Sequence, residues 1–253
     1  MPLLVLFFFI TAVLYASVGF GGGSTYNALL VLHGADYRIL PSVALICNII
    51  VVVGGVARFA HAGHLNIRAL LPWVIASVPA AWIGGRIPVS ETLFIGALGL
   101  ALLAAGLRLA VERAPSMQAD GPRRAPALLA VGVGAGLGFI SGLVGIGGGI
   151  FLAPVLYLLR WGDPRQIAAA CSFFILVNSL SGLAGQVMKL GDLGAAAMIL
   201  DYWMVFPAVL IGGQIGSRLS AGGLSANSVK RLTAILILYV AARLLWRWAH
   251  IIF

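Results

Sequence analysis

Residues 1–35 and 125–159 contain no Asp, Glu, Lys or Arg, and each run carries a tight glycine cluster, Gly19-Phe-Gly-Gly-Gly23 and Gly145-Ile-Gly-Gly-Gly149. A 35-residue helix would be about 50 Å long at 1.5 Å per residue, whereas the hydrocarbon core of a bilayer is about 30 Å thick. Neither run fits as one straight span, so each is expected to be a broken element. The surrounding composition fixes the solvent. The chain is 61% hydrophobic and 9% charged, against about 45–50% and about 25% in soluble domains. Soluble enzymes, disordered regulators and disulfide-stapled secreted domains are excluded, and a polytopic all-α membrane protein remains.

Single spans are expected at 39–57, 69–85, 92–107, 166–188 and 202–217, and around 232–242 with Arg243 and Arg247 snorkelling at one end. The two glycine clusters lie 126 residues apart, and the match continues. Asp36-Tyr-Arg38 corresponds to Asp163-Pro-Arg165, Asn48 to Asn178, and Pro79-Ala-Ala-Trp-Ile-Gly-Gly85 to Pro207-Ala-Val-Leu-Ile-Gly-Gly213. The chain therefore reads as a duplication: a first membrane repeat over 1–111, a linker over 112–126 rich in proline and charge, and a second repeat over 127–253. Transporters are commonly built from such repeats, with substrate where broken helices meet.

The net charge of +9 does not point to nucleic acid, because the basic residues are scattered singly or in pairs between apolar runs. They work as topology signals. If each long run enters, breaks and returns to the same side, eleven Lys/Arg share one side: Arg58, Arg68, Arg108, Arg113, Arg123, Arg124, Arg160, Arg165, Arg218, Lys230 and Arg231. Only Arg38, Arg86, Lys189, Arg243 and Arg247 face the other. That bias implies two inverted repeats, each with a re-entrant Gly-broken helix plus three transmembrane helices. The linker would be cytoplasmic and both termini outside.

Gly134, Gly138 and Gly142 recur every four residues and read as a helix-packing stripe. The clusters Gly19, Gly21, Gly22, Gly23 and Gly145, Gly147, Gly148, Gly149 do not form one helix face. Successive unhindered N–H groups make an anion-binding concavity, and helices starting at Ser24 and Ile150 would aim their positive ends at it. No Gly-Lys-Ser/Thr follows either cluster, so a nucleotide-phosphate loop is excluded and transport would run on a gradient. Asn48 and Asn178 are candidate donors to an anion oxygen, or else partners in interhelical hydrogen bonds. Ser24 and Thr25 could cap the second half-helix or touch substrate, with Ser141 and Ser172 as weaker candidates. Arg86, aligned with Gln214, is a candidate for anion attraction or a snorkelled anchor. Asp201 is a candidate for proton coupling, although the adjacent Tyr202 and Trp203 favour an interfacial anchor. His61 and His64 lack further ligands for a metal, and Cys47 and Cys171 lack a metal or redox spacing. No cofactor is expected.

The segment Gly142-Leu-Val-Gly-Ile-Gly-Gly-Gly-Ile-Phe-Leu-Ala-Pro154 closely resembles the motif of the sulfite exporter TauE/SafE family of bacterial membrane transporters. The first copy, Ser17-Val-Gly-Phe-Gly-Gly-Gly-Ser-Thr-Tyr-Asn27, resembles it less, with Ala28 where the second has Pro154. Size, duplication and both motifs carry the resemblance over essentially the whole chain. It implies a multi-pass inner-membrane protein that exports a small sulfur-containing oxyanion, sulfite or a short organosulfonate such as sulfoacetate. The expected partners are that small anion and the bilayer, with a homodimer left open. The alternatives are a channel or carrier for another solute (a carboxylate, thiosulfate or a metal cation). An intramembrane enzyme is disfavoured, because no nucleophile–base pair or metal triad falls in a span.

Overall fold

The computed structural model describes residues 1–17, 19–111, 126–219 and 226–252. The expected linker, apart from Pro126, lies outside them, as do Arg113, Arg123, Arg124 and the side chains of Lys230 and Arg231. Every regular element among the described residues is helical. The expected first repeat holds α1 (Pro2–Ser17), α2 (Gly23–His33), α3 (Leu40–His61), α4 (Ile67–Arg86) and α5 (Glu91–Val111). The expected second holds α6 (Ala127–Val144), α7 (Gly149–Leu158), α8 (Pro164–Asp192), a 3-10 helix (Ala196–Tyr202), α9 (Val205–Leu219) and α10 (Ala226–Ile252). Five of these helices are long and apolar enough to cross a membrane, or six if the 3-10 helix and α9 form one bent span.

Local chemistry sets the ends. The Asn66 side chain accepts from the Ala69 N–H at the start of α4 (3.1 Å), and Asp163 with Gln166 forms a reciprocal capping box at the start of α8. Both long charge-free runs are broken at their glycines, as expected. In the first, the opening turn of α2 packs back against α1. Phe8 lies nine residues before the end of α1, yet its ring stacks on Tyr26 with centroids 4.9 Å apart. Tyr15 and Thr25 hydroxyls share a 2.8 Å hydrogen bond across the same pair. In the second, Leu152 and Leu156 of α7 share one buried cluster with Ala130 of α6. The inward arm is longer here, since α6 alone has the length to cross.

Of the expected span at 202–217, Tyr202 ends the 3-10 helix and α9 carries the rest from Val205, the two helices meeting at 57°. Pro207 in the first turn of α9 has no N–H to donate to the carbonyl four residues back, which favours a break upstream of it.

The pairing of helices is conserved when the halves are exchanged. Helix α4 packs on α6 as α9 packs on α1, and α4 on α8 as α9 on α3. The repeat-related helices α5 and α10 pack against each other antiparallel: Gly96 meets the Trp248 ring, Gly99 meets Leu245 and Gly106 meets Leu238. Helices α3 and α8 are antiparallel too, with Ile39 at one end of α3 clustered with Leu190 near the far end of α8. Lipid gives helices no hydrophobic drive to associate, so close van der Waals approach has to hold such contacts. The glycine stripe supplies it: Cβ atoms on Gly134, Gly138 and Gly142 would collide with the carbonyls of Trp73, Ser77 and Ala81 on α4.

Candidate functional site

The two hairpin tips meet in the protein interior. A Cβ on Gly23, at the start of α2, would lie 2.8 Å from the Ile146 carbonyl and 2.9 Å from that of Gly145. Beside this contact, Asn27 Nδ2 donates to the Val144 carbonyl at 2.9 Å, tying the first tip to the second. Between the tips stands the Asn48 side chain from the middle of α3. Its Oδ1 is 2.5 Å from a Cβ position on Gly21, and its Nδ2 is 2.5 Å from that on Gly23 and 2.8 Å from that on Gly147. Ile175 of α8 completes the floor, 3.3 Å and 2.9 Å from the Cβ positions of Gly21 and Gly147. No side chain larger than hydrogen fits at these glycines without displacing Asn48 or Ile175.

Asn48 is fully buried, and neither its Oδ1 nor its Nδ2 has a hydrogen-bond partner. An unsatisfied buried amide costs about 1–3 kcal/mol for each orphaned group, so an amide left this way is poised for something that satisfies it. Helices α2 and α7 both open on glycine N-caps, Gly22 at φ 95° and Gly148 at φ 74°, with no side chain capping either terminus. Their first N–H groups and positive dipole ends are therefore not neutralised by a carboxylate or hydroxyl. Gly22→Ala and Gly148→Ala are each expected to cost about 1–2 kcal/mol, because a Cβ disfavours the left-handed backbone. Thermal unfolding of the purified variants measures it, with Gly55→Ala, at an open position, as the control.

Not all of the expected residues behave alike. Asn178 does not mirror Asn48, for its Nδ2 donates to the Phe174 carbonyl one turn back on its own helix (2.8 Å) and only its Oδ1 is unpartnered. Helices α2 and α7 begin one residue earlier than expected, at Gly23 and Gly149, and Ser24 is buried in the first turn of α2. Ser172 Oγ donates to the Gly19 carbonyl, joining α8 to the end of α1. Arg86, at the end of α4, makes a 2.5 Å ion pair with Asp192 of α8. Asp201 is exposed on the 3-10 helix ahead of the bend. His61 turns its Nδ1 to the Ala57 carbonyl (2.6 Å), and no group of three metal-ligating side chains occurs among the described residues. Cys47 and Cys171, both buried and unbridged, flank the junction: one precedes Asn48, and the carbonyl of the other lies 3.1 Å from the Cβ position of Gly149.

Three side chains around the junction had no motif to mark them. Ile175 forms the floor, Ser179 Oγ stands 3.5 Å from the Cβ position of Gly147 without a partner, and Gln186 Nε2 donates to the Gly142 carbonyl at 2.7 Å. A separate cavity of about 390 Å³ opens beside the C-terminal end of α2, rimmed by Asp36, Arg38, Glu91 and Arg247 over Phe94 and Leu98. Its charges are paired, Arg38 with Asp36 and Arg247 with Glu91, each at 2.7 Å. Hydrogen bonds from the Arg38 guanidinium hold the Asp36 carboxyl below the usual carboxylate range.

The sequence matches the family described as Sulfite exporter TauE/SafE over residues 4–244. The chain belongs to that family. A relative named "Probable membrane transporter protein y4hK", from Sinorhizobium fredii, is 33% identical over 96% of this chain and 97% of its own length. Another, "Probable membrane transporter protein YjnA" of Bacillus subtilis, is 27% identical over 80% of this chain and 85% of its own. A third, from Methanocaldococcus jannaschii and also named a probable membrane transporter protein, is 26% identical over 72% and 71%. No solved structure matches the chain. This TauE/SafE protein is thus a multi-pass membrane protein of a transporter family, and its glycine tips fall inside the matched span.

Proposed function

We propose that this TauE/SafE protein exports a small sulfur-containing oxyanion, sulfite or a short organosulfonate such as sulfoacetate, driven by a gradient and bound where the two glycine tips meet. The observation that carries the reading is the orphaned Asn48 amide between Gly21, Gly23 and Gly147. An oxyanion accepts from Nδ2 and from the uncapped N–H groups of α2 and α7, which are suited to a compact negative charge. A sulfite or sulfonate oxygen is a poor guest for apolar packing alone; backbone donors at the glycines answer its needs, and the part-buried Arg108 guanidinium on the Ile150 carbonyl adds positive charge beside them. The antiparallel packing of α3 on α8 and α5 on α10 supports inverted halves, and the Phe8–Tyr26 stack supports a re-entrant first hairpin. Since the tips touch at Gly23 and Ile146, passage requires them to part, an alternating movement of one hairpin against the other.

Proteoliposomes containing the purified protein test this directly. Efflux of labelled sulfite or sulfoacetate is expected above that of empty vesicles, saturable, and altered by an imposed pH or charge gradient. Folded protein that moves none of the oxyanions tried would overturn the reading.

A further inference from the structure

We propose that Lys189 forms a second anion-binding position on the transport path, one that holds the same oxyanion electrostatically beside the α6 tip before or after it occupies the glycine junction. The proposal rests on the transport reading above and deepens it.

Lys189 is 7% exposed, near the end of α8. No ion pair or hydrogen bond joins it to another described residue. The carboxylates at this end are Asp36, paired with Arg38, Glu91, paired with Arg247, Asp192, paired with Arg86, and the exposed Asp201 on the 3-10 helix, and none of them forms an ion pair with Lys189. A largely buried lysine in a membrane protein is costly and is a functional-site hypothesis by default.

Two structural roles for it fail on the geometry. The first is capping of α6. The carbonyls at the end of that helix are already served: Ser141 by the Gly145 N–H, Gly142 by Gln186 Nε2, and Val144 by Asn27 Nδ2. The second is packing. At the offset that pairs Asn48 with Asn178, the first repeat has Phe59 in place of Lys189, and its ring lies 3.0 Å from the Cβ position of Gly19. A neutral apolar side chain therefore satisfies the fold at that place, and the charge in the second repeat serves something else.

Its position is that of a station beside the junction. Ser179, Gln186 and Lys189 fall on one face of α8, since steps of seven and three residues return to nearly the same side of a helix. Ser179 lies at the Gly147 tip, and Gln186 touches the last turn of α6. Lys189 is one turn further. An oxyanion leaving or approaching the tips along this face meets the Lys189 ammonium there, next to the ion pair of Arg86 and Asp192.

The test is sulfite flux in proteoliposomes for wild type, Lys189→Met, Lys189→Gln and Lys189→Arg, with thermal midpoints of each purified protein. Lys189→Met and Lys189→Gln are expected to raise the KM for sulfite about tenfold, with the maximal rate within about twofold. Lys189→Arg is expected to keep the KM within about twofold of wild type, and the midpoint of Lys189→Met should not fall. Should either neutral variant fail to fold, the other, together with calorimetric sulfite binding to the detergent-solubilised protein, reads the same affinity loss. A purely structural lysine would lower stability or maximal rate without moving KM and without rescue by arginine, and that result overturns the proposal. Wild-type flux with an unchanged KM in both neutral variants overturns it alone. No flux from the wild-type protein overturns the transport reading and this one together.

Discussion

Asn48→Leu is expected to lower oxyanion flux by about 10- to 100-fold while leaving the protein as stable as wild type, or more so. The amide is buried with both polar atoms unpartnered, so replacing it by an apolar group of similar size removes a desolvation cost and no protein hydrogen bond. Hydrogen bonds to charged groups contribute about 1.5–3 kcal/mol, and each 1.4 kcal/mol is a factor of ten in affinity. Loss of one such bond to the anion gives the stated range. Flux in proteoliposomes and the thermal midpoint must be measured on the same preparation. A variant with unchanged flux removes Asn48 from the site, and one with a collapsed midpoint assigns it to the fold.

Gly142→Val gives the opposite signature, loss of the folded protein itself. The carbonyl of Ala81 occupies the place where its Cβ would go, and the Gly85 N–H lies 2.9 Å from that place. Both obstacles are backbone and neither can rotate away. Overpacking of side chains alone costs about 1–3 kcal/mol, and a backbone obstacle at a helix crossing costs more. The expected result is a broadened or aggregated elution profile and a thermal midpoint at least about 6 °C lower, taking about 2–4 °C per kcal/mol for a chain of this size. Gly136→Ala on the same helix is the control. Nothing lies within 4 Å of its Cβ position, so alanine is expected to be neutral or to add up to about 1 kcal/mol of helix propensity. Equal behaviour of the two variants would contradict the packing role of the stripe.

The broken runs and the packing glycines were legible in the sequence because each is a local property. A charge-free run too long for the bilayer has to break, and consecutive glycines are where it breaks. A four-residue glycine spacing faces one neighbour wherever that neighbour comes from. The difference between Asn48 and Asn178 was not legible. Both sit mid-helix at matched positions, and only the meeting of two tips over α3 decides which amide is left without a partner. Lys189 read as one more topology charge, because sequence order does not reveal that α8 continues to Asp192 and buries it. The 57° bend before α9 escaped for a related reason: from Tyr202 onward the run is apolar, and the break between Tyr202 and Val205 has no glycine to mark it.

The two buried thiols at the junction carry a practical consequence. Cys47 and Cys171 are the only cysteines in the chain, and both are sealed in the structure, one beside Asn48 and one beside Gly149. Cys47 packs in the buried cluster with Tyr26, and Cys171 in the one with Leu152 and Phe174, so a thiol reagent reaches either sulfur only when that packing loosens. The two native thiols thus serve as built-in labels for that loosening: alkylation of the resting protein is expected to be slow, and faster in any state that opens either cluster.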